Sequence, residues 1–324
     1  MTNPRYQPAS SLESPRFSDP PTFARLPLAR TGEEVDVAAV GVPFDTATSY
    51  RTGGRFGPNA IRAASVMLRA HNPALRVSPF EELSCVDYGD VHIVPGDIER
   101  SYAAITTTVQ ALVSAGVVPL LLGGDHSCTL GHLRSLAGHT PVAVVDFDAH
   151  TDAWDSFFGL KYNHGTWVRR AIEEGLIDAG HSIEVGLRGP VHAPDDWTML
   201  RTELGLDYLT TEEVLTIGPA ATAQRIRQRL DGRPAFLTFD IDVVDPAFAP
   251  GTGTPEAGGL TGHDALSVLR GLAGVRFVGF DIMEVIPGFD PGGVTATLAA
   301  NLGYEMLSLV AVERSGTAGD GAAR

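Results

Sequence analysis

Cysteine is scarce in this chain. Cys85 and Cys128 are the two among 324 residues, and no Cys-x-x-Cys spacing occurs. Two thiols make no disulfide framework, which points to a reducing compartment with free thiols. The opening MTNPRYQPASSLESPRFSDPP lacks the apolar core of a signal peptide. Long apolar runs are also missing. The longest stretch lies around Ala111 to Leu122, and Ser114, Gly116 and Pro119 interrupt it, so it is too short to span a bilayer. Basic residues are outnumbered, 24 against 39 acidic, giving a net charge of −15. That balance argues against a nucleic-acid backbone or an anionic membrane as the main partner. It suits a cationic small substrate, although an acidic surface also serves solubility alone. The expectation is a soluble cytoplasmic protein. Internal repeats and low-complexity blocks are absent as well.

What is present is a full hydrophobic complement of 44%, with 36 glycines and 22 prolines for turns. Residues 1–34 lack periodicity and read as an extended N-terminal arm, either disordered or packed on a neighbouring subunit. Residues 315–324 read as a disordered tail. Between them, 35–314 read as one domain in which β-rich runs alternate with helical segments. Strands are predicted at 35–43, 84–91, 117–124, 142–150, 183–189, 236–244 and 275–285. Helices are predicted at 58–70, 98–115, 219–231, 263–272 and 293–311. Continuous apolar strands alternating with helices predict a three-layer α/β/α fold with a mainly parallel central sheet. Ligands of such sheets bind beyond the carboxyl ends of the strands.

Four strands run into polar residues there: Asp125 and His126 in GGDHS; Asp146, Asp148, His150 and Asp152 in DFDAHTD; Asp240, Asp242 and Asp245 in FDIDVVDP; Asp281 and Glu284 in FDIMEV. In extended chain, residues i, i+2 and i+4 share a face. Asp148, His150 and Asp152 are therefore expected to point together, as are Asp240 and Asp242. A lone Asp-x-Asp after a strand is ordinarily a turn, and a lone histidine is ordinarily structural. Three such clusters, each at a strand end, would leave carboxylates converging at one sheet edge too crowded to be stable without a cation. Two divalent metals resolve the crowding, and oxygen-rich ligation with a few imidazoles suits Mn²⁺, with Ni²⁺ or Co²⁺ as alternatives. A metal pair lowers the pKa of a shared water toward neutrality and supplies a nucleophile. Asp125 and Asp146 are read as supporting residues. GGDH lacks the Lys-Ser/Thr of a phosphate loop.

GGDHS, FDAHTD, NHGT, TFDIDVVDPAFAPGTGTP and MEV occur in the order found in the ureohydrolase superfamily, which includes arginase, agmatinase and the guanidino-acid hydrolases. TSYRTGGRFGPNAIR (48–62) is similar to that family's early motif, so the resemblance covers about residues 20–312. It implies two Mn²⁺ per subunit, one held by His126, Asp148, Asp152 and Asp240 and the other by Asp148, His150, Asp240 and Asp242. It further implies that Asp152 orients the nucleophile, that His164 in NHGT moves a proton to the departing amine, and that Glu284 pairs with the substrate guanidinium. Asn163 is expected beside the substrate. A homo-oligomer, trimer or hexamer, is implied too. TGTPEAGGLT argues against a deacetylase-like hydrolase. A catalytically silent binding paralogue is the alternative of another class.

The resemblance to the family's agmatinase-like branch makes agmatine the expected substrate, yielding putrescine and urea. Guanidino acids are the alternative. The loop AWDSFFGLKYNHG (153–165) is apolar and aromatic, which disfavours an α-amino acid such as arginine. A carboxylate-ended substrate needs a cation near the pocket, and Arg51, Lys161 and Arg188 are the candidates.

Overall fold

The computed structural model describes residues 4–10, 12–136 and 140–316. Among the described residues, eight strands form one sheet: β1 Val37–Gly41, β2 Cys85–Asp90, β3 Val118–Leu122, β4 Ala143–Phe147, β5 Ile183–Leu187, β6 Asp207–Thr210, β7 Ala235–Asp240 and β8 Phe277–Met283. Their order is β2-β1-β3-β8-β7-β4-β5-β6, and every pairing is parallel. The α-helices among the described residues are α1 Gly57–Ser65, α2 Pro79–Glu82, α3 Ile98–Ser114, α4 Cys128–Ser135, α5 Trp167–Glu173, α6 Thr211–Leu230, α7 Gly262–Arg270 and α8 Val294–Ser315. Side chains of α3, α4 and α5 pack on one face of the sheet, and those of α1, α6, α7 and α8 on the other. This is the three-layer architecture that the alternation predicts. Strands covered on both faces must be apolar throughout, and β1, β4 and β7 are buried along their whole length.

The differences from expectation lie in short or two-faced elements. The predicted elements do not include α2, α4, α5 or β6; α4 is buried almost all round and so shows no polar stripe. The predicted helix 219–231 is the second half of α6. The backbone turns at Gly218 (φ 79°), ahead of Pro219, and an earlier half begins at a Thr210–Glu213 capping box. The apolar stretch 111–122 divides between α3 and β3. Among the described residues, α8 is the helix with the length and hydropathy to cross a bilayer, yet 78% of its apolar window is buried inside the protein. Of the expected tail 315–324, Ser315 closes α8, and residues 317–324 lie outside the described residues.

The described part of the N-terminal arm runs along its own domain. β2 is an edge strand, and the arm occupies that edge: Cys85 N–H donates to the Tyr6 carbonyl (3.0 Å), and Asp87 N–H to the Pro27 carbonyl (3.0 Å). Covering an edge removes a row of unpaired backbone groups. Phe23, Ala24 and Leu26 enter the main core. The junction is held by Arg62 of α1, whose guanidinium donates twice to Asp87 (2.7 and 2.9 Å) and once to Asp90 (2.6 Å). Asp87 also accepts from the Phe23 backbone (2.8 Å). Both Arg62 and Asp87 are buried. Arg62→Ala would strand a buried carboxylate, and it is expected to cost about 3–5 kcal/mol of stability, read from denaturant midpoints of the metal-free protein. A shift under 1 kcal/mol would mean that this network is incidental.

Candidate metal centre and active site

β3, β4, β7 and β8 are separated in sequence but lie side by side in the sheet as β3-β8-β7-β4. Their carboxyl ends therefore bring the four polar motifs to one crevice. Gly124, just past β3, is required by packing: a Cβ there would meet the Phe44 carbonyl oxygen at 1.8 Å. The glycines of GGDH thus let the end of β3 press against its neighbours.

The side chains converge by a different route from the one predicted. β4 ends at Phe147 and β7 at Asp240, so extended-strand alternation does not place the donors. Asp148, His150 and Asp152 lie on an irregular loop in which Asp152 is left-handed (φ 44°). Asp242 lies in a 3-10 turn, Ile241–Val243, whose cap is Asp240: its carboxylate accepts the Asp242 N–H at 2.8 Å.

The result is two adjoining donor sets. In the first, His126 Nδ1 faces Asp148 Oδ2 at 3.0 Å, Asp152 Oδ2 at 3.2 Å and Asp240 Oδ2 at 3.2 Å. In the second, His150 Nδ1 faces Asp148 Oδ1 at 3.4 Å and Asp242 Oδ2 at 3.1 Å. Asp148 belongs to both, one oxygen to each. A single Nδ1–H cannot satisfy three carboxylates, whereas a cation at their centre satisfies all four groups. The far nitrogen of His126 is hydrogen-bonded, and that of His150 faces a carboxylate. His126 Nε2 is 2.8 Å from Thr238 Oγ1, and His150 Nε2 is 3.6 Å from Glu256 Oε1. Were a metal bound, an Nε2–H donating outward would leave the Nδ1 lone pair of each ring turned inward, as a metal ligand requires. The donor chemistry fits two divalent metals.

Electrostatics agree. Burial pushes Asp240 well above the ordinary carboxylate range, with Asp242 and Asp148 adding to it, and Asp242 is also raised by burial. Burial opposes ionisation of Asp148 too, but hydrogen bonds from His126 and His150 hold it below the usual range. Asp146 stands on the far side of His126, 3.9 Å from Nε2. Asp125 accepts from Ala47 N–H (2.9 Å) and from both the backbone and the hydroxyl of Ser127, a supporting role as expected. Asp245 accepts from three loop amides, of Ala247, Gly258 and Gly259, and Asp281 takes Thr129 Oγ1–H (3.1 Å) away from the crevice.

Glu284 borders these sets. It follows β8 in the left-handed region (φ 63°), a conformation that costs about 1–3 kcal/mol for a residue with a side chain. Its N–H donates to the Gly124 carbonyl (2.8 Å). Oε1 accepts from the His126 backbone (3.0 Å) and lies 3.0 Å from His164 Nδ1. Oε2 is buried and has no partner among the described residues. His164 Nε2 lies 2.8 Å from Ser49 Oγ and 3.1 Å from the Ser49 N–H. Burial alone would lower the His164 pKa, yet Glu284 outweighs it and the ring is pushed up to about 9. Asn163, expected at the substrate, caps the turn that carries His164, accepting from Gly165 N–H at 3.1 Å.

Arg188, a candidate cation for the pocket, is committed elsewhere. Its guanidinium donates to the backbone carbonyls of Asp242 (2.6 Å), Val243 (2.9 Å) and Glu256 (2.8 Å). It clamps the loops behind the second donor set. Motif reading missed Ser49, Thr238, Glu256 and Trp167, whose indole N–H donates to Asp152 Oδ2 at 3.0 Å. These residue types are common everywhere, and only proximity singles them out.

A family model described as the arginase family matches residues 35–308. Guanidinopropionase of Pseudomonas aeruginosa is 41% identical over 280 residues, covering 86% of this chain and 88% of its own. Mitochondrial agmatinase of Gallus gallus is 43% identical over 259 residues, covering 80% and 76%. The solved structure of proclavaminate amidino hydrolase from Streptomyces clavuligerus superposes with a TM-score of 0.87 at 41% identity, covering 93% of this chain and all of the other.

Proposed function

The chain belongs to the arginase family, whose members are hydrolases of amidino C–N bonds, and we propose on that premise that it hydrolyses a guanidino compound to an amine and urea. The observation that carries this reading is Glu284 Oε2, a buried and unpartnered carboxylate oxygen at the edge of two metal-donor sets. His126, Asp148, Asp152 and Asp240 would hold one Mn²⁺, and Asp148, His150, Asp240 and Asp242 the other. Bound there, the pair would neutralise the crowded carboxylates and bring the pKa of a water near neutrality.

The chain's own groups do the rest. A guanidinium entering the crevice meets Glu284 Oε2, and a charge-assisted hydrogen bond holds its carbon in place. Asp152, steadied through Oδ2 by the Trp167 indole, orients the attacking water. His164 carries the proton that the leaving amine needs. Nδ1–H donates to Glu284 Oε1, and Nε2, which accepts the Ser49 N–H in the neutral ring, is the nitrogen that takes up the second proton, next to Ser49 Oγ. A substrate cation arriving on the same carboxylate weakens the imidazolium's hold on its proton. The proton therefore becomes easier to surrender once substrate is bound. Attack forms a C–O bond and its collapse breaks one C–N bond: the amine leaves with the proton from His164, both protons of the water leave its oxygen, one restoring His164 and the other completing the ammonium of the released amine, and the carbon departs as urea.

His164→Asn is expected to lower kcat by about 10²- to 10⁴-fold while metal content is retained. A drop of less than about tenfold would assign the proton to another group. The reading itself is tested by urea release from the Mn²⁺-loaded protein with agmatine, 4-guanidinobutyrate, 3-guanidinopropionate, arginine and guanidine. Silence with all five, after Ni²⁺ and Co²⁺ have also been tried, would refute it.

A further inference from the structure

On the side of the ring away from Glu284, His164 meets Ser49 twice. Nε2 lies 2.8 Å from Ser49 Oγ and 3.1 Å from the Ser49 backbone nitrogen. The chain around Ser49 is pinned. His164 N–H donates to the Ala47 carbonyl (3.1 Å), Ala47 N–H donates to Asp125 Oδ2 (2.9 Å), and Thr48 Oγ1–H donates to the Arg51 carbonyl (3.0 Å). Residues 47–51 are therefore held alongside the ring, and Ser49 stays against Nε2 as long as these bonds last.

The two contacts make opposite demands. A backbone N–H can only donate, so it needs the Nε2 lone pair. Only a neutral ring protonated on Nδ1 offers that lone pair. The same tautomer suits Glu284, whose Oε1 lies 3.0 Å from Nδ1. A second proton, on Nε2, would face the amide N–H head-on. The lone pairs it can reach are those of Ser49 Oγ. A hydroxyl both donates and accepts, and it turns about one bond to do either. Ser49 thus offers a partner to each state of the ring, the amide to the neutral form and the hydroxyl to the charged form, without backbone movement. A hydrogen bond to the neutral form lowers a histidine pKa, and one to the charged form raises it. The other influences on the ring are burial, which opposes the charged form, and the carboxylates of Glu284, Asp152 and Asp125, which favour it.

We infer that Ser49 is a positioning residue for proton transfer: its hydroxyl receives Nε2–H while His164 holds the second proton, and its backbone N–H takes the Nε2 lone pair once that proton has gone to the leaving amine. The step balances. The Nε2–H bond breaks, an N–H bond forms on the amine, and the electron pair left on Nε2 accepts the Ser49 amide until a proton of the attacking water recharges the ring. Without the hydroxyl, the amide would stand alone and the charged ring would lose its acceptor. This inference rests on the amidinohydrolase reading and is independent of which guanidino compound is bound.

The test is the pH profile of kcat/KM for urea release by the Mn²⁺-loaded full chain. The substrate is the most active of agmatine, 4-guanidinobutyrate, 3-guanidinopropionate, arginine and guanidine. Ser49→Ala removes Oγ and leaves the amide. The alkaline limb, set in the wild type by a ring raised to about 9, should then move down by about one pH unit. The loss in kcat/KM should be about tenfold above the limb and should fade as the pH is lowered. Ser49→Thr keeps the hydroxyl and should bring the limb back toward the wild-type position. Metal content should be unchanged in both variants, because Ser49 touches no metal donor. An active Ser49→Ala variant with an unmoved limb overturns the inference, as does a loss of equal size at every pH, which would show that the serine only packs. If circular dichroism shows that the alanine variant has failed to fold, Ser49→Cys decides instead. A thiol accepts weakly, so its limb should also move down, and an unmoved limb there overturns the inference. Absence of urea from every substrate with the wild type would remove the amidinohydrolase reading and this inference together.

Discussion

Asp148→Ala is expected to abolish urea release, by at least about 10³-fold, and to lower bound metal at both positions. The cause is geometric. Asp148 Oδ2 lies 3.0 Å from His126 Nδ1, and Oδ1 lies 3.4 Å from His150 Nδ1, so one carboxylate serves both donor sets. Oδ1 also accepts the His150 backbone N–H at 2.6 Å, which fixes the turn that presents His150. Asp242 touches only the second set among the imidazoles. Asp242→Ala should therefore spare more of the metal bound at the first. Atomic spectroscopy after dialysis, with urea release on the same samples, separates the two variants. The wild type should also gain thermal stability on addition of Mn²⁺, because a ligand that binds only the folded state stabilises it by mass action. Asp148→Ala should gain much less. Two tightly held metals in Asp148→Ala would show that the bridging assignment is mistaken.

Glu284→Gln is expected to reduce kcat/KM by about 10²- to 10³-fold while leaving metal content intact. Glutamine keeps the shape and retains an oxygen for the His126 N–H. What it removes is the charge facing both the His164 imidazole and the incoming guanidinium. Without that charge, His164 loses the principal influence that lifts it to about 9 against burial. Its pKa in the free enzyme should fall toward or below 6.5. The sign follows directly: a group raised in the wild type is protonated below about pH 9, whereas in the variant the proton is lost at lower pH. The alkaline limb of the kcat/KM profile should therefore move to lower pH. A variant with nearly full activity and an unmoved profile would place guanidinium recognition elsewhere.

Much of the site was legible because its donors come in short runs. GGDHS, DFDAHTD and FDIDVVDP each carry two or more metal-capable side chains at strand ends, and a parallel sheet delivers all strand ends to one rim. The reason given for their convergence did not hold, since the chain leaves the extended conformation after Phe147 in one motif and after Asp240 in the other. The left-handed turn at Asp152 and the 3-10 turn after Asp240 are set by contacts with Trp167 and by the Asp240 cap, and strand periodicity contains neither. α4 was invisible for a related reason: a helix buried on nearly every side shows no polar stripe.

Local text, then, determined the alternation of strands and helices, the parallel sheet and the residue types able to hold two metals. Those properties depend on neighbours within a few positions, where spacing and side-chain chemistry are sufficient. Tertiary structure decided the rest. His164 and Glu284 are 120 residues apart, and His164 and Ser49 are 115 apart. No spacing rule reaches across such distances. Arg188 and Arg51 looked equivalent as candidate cations until packing gave one to backbone carbonyls and left the other over two exposed rings. The strand order β3-β8-β7-β4 made a single centre of four motifs, because hydrogen bonding between strands, rather than sequence order, determines which carboxyl ends stand together.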